Sequence, residues 1–164
     1  MSSSKPTEDL PSSTEPDYRR EALTRFWDPG KQLIRSIRKY QKAQKKGGVH
    51  KLVSKIAVLE YRFWSVCSGA DIPLNCDLGG GIKLVHSQGI VIHRTAKIGV
   101  NLAIFQQVTI VADVVIGGQV EIGAGAKIVR PVKIGDRAKI GANAVVLCDV
   151  PEGKTAVGIP AKIV

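Results

Sequence analysis

Few side chains in this 164-residue sequence can move a proton or hold a metal, and one of them stands apart by position. His86 sits in Val85-His86-Ser87-Gln88-Gly89, where a regular spacing of aliphatic residues breaks. Ile72, Leu78 and Leu84 are six apart, but the next in the series, Ile92, comes eight later. A sequence that obeys a strict local rule and breaks it once points to function at the break. Imidazole changes charge near neutral pH, so a histidine on such a turn could take a proton from a bound group. The sulfur chemistry is less promising. Cys67, Cys76 and Cys148 are odd in number and lack CxxC spacing, which argues against a disulfide framework or a zinc site and for buried, reduced thiols.

What must hold His86 is the repeat itself. From Ile92 an aliphatic residue recurs at every sixth position: Ile92, Ile98, Ile104, Ile110, Ile116, Ile122, Ile128, Ile134, Ile140 and Val146. The residue two before each is also apolar, from Ile90 and Ala96 to Ala138 and Ala144, and glycine follows at Gly99, Gly117, Gly123, Gly135 and Gly141. Neither a helix nor an ordinary strand makes that period. A six-residue unit cannot bury its own side chain, so successive units must wind into a coil filled by stacked residues. The spacing predicts a mainly β protein, a parallel β-helix over residues 68–164. The low aromatic fraction, 5%, agrees with a narrow interior.

Residues 1–20 offer little to bury and read as a disordered tail. They lack the apolar run of a signal peptide, and no stretch approaches the roughly 18–20 apolar residues of a membrane span, so a cytoplasmic protein is expected. Residues 21–67 read as a basic helical segment. Asp28-Pro29 can open a helix with Leu33, Ile34, Ile37 and Tyr40 on one face, ended by Gly47-Gly48. A second helix, over about 49–66, carries Leu52, Val53, Ile56, Leu59 and Phe63 on one stripe, which should pack on the first helix, the first coils or a neighbouring subunit. Between positions 31 and 55 stand nine basic residues and no acid, supplying most of the net charge of +10. That run is either a solvated helix face or a surface for an anionic partner such as a membrane or a phosphorylated glycan carrier. With no aromatic ladder for base stacking and no recognition helix, nucleic acid is not expected.

Several segments together resemble the hexapeptide-repeat acyltransferases, in particular the serine acetyltransferases. They are Asp71-Ile72, Leu84-Val85-His86-Ser87-Gln88-Gly89-Ile90-Val91-Ile92, Gln107-Val108-Thr109, Gly123-Ala124-Gly125-Ala126-Lys127-Ile128 and the closing Ala156-Val157-Gly158-Ile159-Pro160-Ala161-Lys162-Ile163-Val164. The resemblance implies a left-handed β-helix, a homotrimer, and acetyl-CoA as co-substrate in a groove between neighbouring coils. It makes His86 the general base and Asp71, fifteen residues earlier, its partner. A hydroxyl attacks a thioester slowly, and a positioned imidazole that takes its proton contributes roughly 100- to 10,000-fold. The carboxylate fixes the tautomer and stabilises the imidazolium. For acetyl-CoA, Gly123, Gly125 and Gly141 would let the pantetheine arm approach the main chain, with Ala126 and Ala142 in the same segments. Lys127 and Lys139, with Arg130, Lys133 and Arg137, give a basic exterior suited to its phosphates, and Lys162 completes the set. A metal hydratase of this architecture, as in the γ-class carbonic anhydrases, needs three histidines with two close in sequence. His86 and His93 are seven apart and His50 lies in the helical region, so no metal is expected.

The chain also departs from that family. Serine acetyltransferases carry a long helical N-terminal domain that pairs two trimers; residues 21–67 are too few, and a lone trimer is expected. Their basic loop after the Gln-x-Val-Thr segment leads to a second histidine that helps hold the acceptor, whereas here Thr109-Ile110-Val111-Ala112-Asp113 continues the hexad without a gap. The acid that precedes their catalytic histidine is Val85 here. The expected enzyme is an acetyl-CoA-dependent O-acetyltransferase with a small hydroxyl acceptor, serine by default. Serine would be used poorly unless Arg94 or a neighbouring chain replaces the lost contacts. The alternatives are acetylation of a sugar or capsule glycan, and a catalytically weak β-helix scaffold.

Overall fold

The computed structural model describes residues 11–46 and 50–164. Among them, two α-helices, α1 (Pro29–Lys46) and α2 (His50–Ser68), precede fourteen strands of two or three residues. In chain order these are β1 (Asp77–Leu78), β2 (Lys83–Leu84), β3 (Val91–Ile92), β4 (Lys97–Ile98), β5 (Ala103–Ile104), β6 (Thr109–Ile110), β7 (Val115–Ile116), β8 (Glu121–Ile122), β9 (Lys127–Ile128), β10 (Lys133–Ile134), β11 (Lys139–Ile140), β12 (Val145–Val146), β13 (Thr155–Val157) and β14 (Lys162–Ile163). Every third strand stacks into one sheet: β1-β4-β7-β10 (sheet 1), β2-β5-β8-β11-β13-β14 (sheet 2) and β3-β6-β9-β12 (sheet 3). Pairing is parallel except for the closing β13–β14 hairpin. This is the parallel β-helix that the repeat predicts, mainly β with a short N-terminal helical segment, and left-handed as the resemblance implies.

Each strand from β3 to β12 places its hexad aliphatic second, pointing inward, and its first residue outward. The columns of Ile104, Ile110, Ile122 and Ile128, and of Leu102, Val108, Ala126 and Ala144, are at most 1% exposed. The third residue after six of the aliphatics turns the corner in the left-handed region: Asn101, Gln107, Asp113, Gln119, Arg137 and Asn143 have φ of 56–60°. Pro131 holds the same place after Ile128, and its ring forbids that φ. A Cβ added at Gly99 would collide with the Gly117 backbone, so the stacking distance of the coils demands glycine there.

Register locates the break in the repeat. Val91 pairs with Thr109, eighteen positions on, as three hexads require, but Asp77 pairs with Lys97 and Lys83 with Ala103, twenty on. The two extra residues therefore lie between β2 and β3, in the turn that carries His86. The last coil is shorter, with Lys139 facing Thr155 sixteen positions on.

Helix α1 opens on Asp28, whose Oδ1 accepts from the Lys31 N–H at 3.2 Å, and buries Leu33, Ile34 and Ile37 against the first coils. Gly30 brings its first turn onto Leu84 and Ser87, so the helix braces the inserted turn. On helix α2 the stripe of Leu52, Val53, Ile56, Leu59 and Phe63 is exposed, which of the three expected partners leaves a neighbouring subunit open; α2 buries Ala57 and Trp64, the latter edge-on to Phe26, Trp27 and Phe63. A difference concerns the expected tail 1–20. Residues 1–10 lie outside the described residues, but residues 11–20 are laid across the corner of sheets 1 and 2. There the Asn101 amide donates to the Ser12 and Glu15 carbonyls at 2.6 and 2.7 Å and accepts from the Asp17 N–H at 2.8 Å. Arg20 donates to the carbonyls of Asn101 and Leu102, and Glu21 accepts from the Ile82 N–H and from Arg38. Polar corner groups thus hold a segment too poor in apolar residues to hold itself. Among the described residues no helix is long and apolar enough to cross a membrane.

Candidate active site

The turn 85–89 is pinned along its length. Val85 N–H donates to Ile104 O at 2.9 Å, the buried Ser87 hydroxyl to Ser68 O at 2.9 Å, Gly89 N–H to Gly69 O at 2.7 Å, and Gln88 O accepts from Gln107 N–H at 2.9 Å. Gly89 takes the left-handed φ of +70° that closes the turn. His86 is exposed on this rigid loop. Asp71 is fixed beside the next strand: its N–H donates to Ile90 O, its carbonyl accepts from Ile92 N–H, and it bridges Val91. The fold therefore brings the two segments together, while among the described residues the Asp71 carboxylate and the His86 ring make no hydrogen bond. Tyr61 on α2 feels Asp71. Burial first, and then the Asp71 charge, push its phenol up from the usual range, against a hydrogen bond with Ser65 that pulls it down.

Above the turn, the corner between sheets 2 and 3 repeats in residues 105–107, 123–125 and 141–143. Gly125 N–H donates to Gln106 O and Asn143 N–H to Ala124 O, both at 2.8 Å. Gly123, Gly125, Gly141 and Ala142 thus share one column with His86, and Lys127 on β9 and Lys139 on β11 flank it. Lys127 Nζ leans to Gln107 O and Thr109 Oγ1, and Lys162 on β14 pairs with Val157 at the column's far end. The glycines answer to stacking in the first place. A Cβ on Gly123 would lie 2.7 Å from Ala142 N, and one on Gly141 2.8 Å from Val157 Cγ1. Ala126 faces the interior, with its N–H and C=O engaged by Gly123 and Thr109. Lys139 also lines a cavity of about 310 Å³ with Arg20, Gln119, Glu121 and Arg137. Sequence reading missed Gln106, whose Oε1 is buried without a partner in this same corner. Nothing in its spacing separates it from other polar corner residues.

On sheet 3 and its corner with sheet 1 lies a cavity of about 510 Å³ lined by Asp71, Val91, His93, Arg94, Thr109 and Val111 among others. His93 belongs to this cavity, and His50 lies in α2. Among the described residues no group of three His, Cys, Asp or Glu side chains could hold a metal ion.

Residues 113–148 match the family of bacterial transferase hexapeptide proteins (six repeats). No curated protein matches the chain. Solved structures do. A soybean serine acetyltransferase complexed with serine is 34% identical with a TM-score of 0.70, over 83% of this chain and 57% of that one. A serine acetyltransferase in complex with CoA is 35% identical with a TM-score of 0.69, over 84% and 57%. Serine acetyltransferase from Brucella abortus strain S19 is 30% identical with a TM-score of 0.71, over 90% and 67%. The chain thus spans little more than half the length of the first two.

Proposed function

We propose that this chain, which belongs to the hexapeptide-repeat acyltransferase family, transfers an acetyl group from acetyl-CoA to the hydroxyl of a small acceptor, serine first among those to test. The observation that carries the reading is His86, alone on a pinned two-residue insertion at the foot of the corner column. That solved relatives hold serine and CoA supports both substrates.

The column suits acetyl-CoA by its donor set. A buried amide oxygen left unpaired costs about 1–3 kcal/mol, and Gln106 Oε1 would be satisfied by an amide N–H of the pantetheine arm. Gly123, Gly125, Gly141 and Ala142 would line the arm, and Lys127, Lys139 and Lys162 would neutralise phosphate charge. When bound, acetyl-CoA supplies the acetyl group as an activated thioester. His86 takes the acceptor's hydroxyl proton as the new C–O bond forms and returns it to the departing sulfur, while Asp71 steadies the imidazolium. The working form is a homotrimer. Incubation of the purified chain with acetyl-CoA and serine should release free CoA and yield O-acetylserine by mass spectrometry, each requiring both substrates. Release with neither serine nor any other small hydroxyl compound would sink acetyl transfer.

A further inference from the structure

We infer that the cavity between α1 and the segment before it is an anion site apart from the corner column, built for a small ligand that carries two or more linked phosphates; the inference does not rest on the acetyl-transfer reading. The cavity holds about 760 Å³, within the range of small-molecule sites. It lies over Leu78, along the C-terminal part of α1. The inserted turn meets the other end of that helix, at Gly30, and Lys45 stands roughly 20 Å further along the axis.

Arg35, Lys42, Lys45 and Lys46 line the helix side of the cavity, with Tyr18 and Ala22 of the preceding segment also in its wall. Spaced seven, three and four apart, the four cations share one exposed stripe, and α1 has no acid to offset them. The cavity's one carboxylate is already engaged. Glu21 pairs with Arg38 at 2.8 Å, and Arg38 also donates to the Leu78 carbonyl at 2.7 Å. Among the described residues the other four cations make no hydrogen bond or ion pair, although Lys45 also lines a neighbouring cavity with Asp77. Cations that answer the helix dipole belong in the last turn, as Lys45 and Lys46 do. Arg35 and Lys42 lie outside it, and like charges three or four apart weaken a helix. The stripe therefore works against the stability of α1, and a bound polyanion removes the conflict. One phosphate cannot meet four cations spread over about three turns, whereas linked phosphates can. A flat lipid surface fits less well, because the chain's own residues 18–22 wall the cavity. Tyr18, exposed in that wall, offers a ring on which a nucleoside base can stack.

Calorimetry on the full chain at physiological salt tests this with tripolyphosphate, ATP and inorganic phosphate, beside a sedimentation assay with phosphatidylglycerol vesicles. Tripolyphosphate should bind one per chain, at least about tenfold more tightly than inorganic phosphate. Arg35→Gln with Lys42→Gln should raise its Kd about ten- to a hundredfold without lowering the melting temperature of the ligand-free chain. Lys127→Gln with Lys139→Gln, which removes the same charge beside the corner column, should change that Kd less than about threefold. ATP bound more tightly than tripolyphosphate, with the margin lost in Tyr18→Ala, identifies a nucleoside polyphosphate, and equal affinities a base-free one; both support the site. Binding of neither, equal losses in the two double variants, or retention by the vesicles alone overturns it, the last in favour of a lipid surface.

Discussion

His86 is exposed on a turn held through Val85, Ser87, Gln88 and Gly89, so removing its ring takes away a proton acceptor and almost no packing. His86→Ala should keep the melting temperature and the affinity for CoA while lowering kcat by about two to four orders of magnitude. Asp71→Asn, which keeps shape and removes charge, should cost less. Wild-type turnover by His86→Ala would end the general-base role. The thiols answer to burial in another way. Burial, helped by the Asp77 charge, raises Cys76 to about 11, whereas Cys148 is exposed on the shortened coil outside the hexad interior, contrary to the expectation of three buried thiols. Iodoacetamide at pH 8 should label Cys148 rapidly and Cys76 after unfolding. Because the folded state favours the protonated Cys76 thiol, the stability it contributes is fully present below the ordinary thiol range and is lost as pH rises towards about 11. Denaturant midpoints measured from pH 7 to pH 11 should fall over that upper window, less steeply in Cys76→Ala.

At the level of elements, what was legible was what had a period. Ile92 to Val146 named the strands, and the eight-residue step from Leu84 located the insertion that register later confirmed. Contacts without a period were not legible. The stripe on α2 identified a helix face but not what lies against it, and nothing in residues 11–20 announced that one asparagine, 1% exposed at a corner with φ 59°, would hold them. Asn101→Ala deletes three hydrogen bonds, at about 0.5–1.5 kcal/mol each, and places alanine in a left-handed conformation it disfavours. A loss of about 2–4 kcal/mol is expected, with residues 11–20 becoming the first site of limited proteolysis. Unchanged protection of that segment would mean that Arg20 and Glu21 suffice to hold it.

At the scale of the molecule, the apolar face of α2 bears on the proposed trimer. Leu52, Ile56, Leu59, Phe63 and Val66 follow one another at helical spacing, all exposed, with Phe26 and Trp27 exposed as well. A single soluble chain rarely leaves so continuous a stripe to water, and a closed symmetric assembly is the ordinary way to cover it. Opposing association is the charge of +10, concentrated in the run that includes α1, which repels its copies until salt screens it. The two terms give a direction. Light scattering should return a mass near three times 17.6 kDa, and the trimer should tighten from low to moderate salt, the reverse of an assembly held by opposite charges. Leu59→Lys, which puts another cation on the stripe, should shift the population to lighter species at the same protein concentration, and added salt should restore part of the trimer. A monomer at micromolar concentration with full acetyl-transfer activity would show that one chain's corner column suffices, and the trimeric working form would fall.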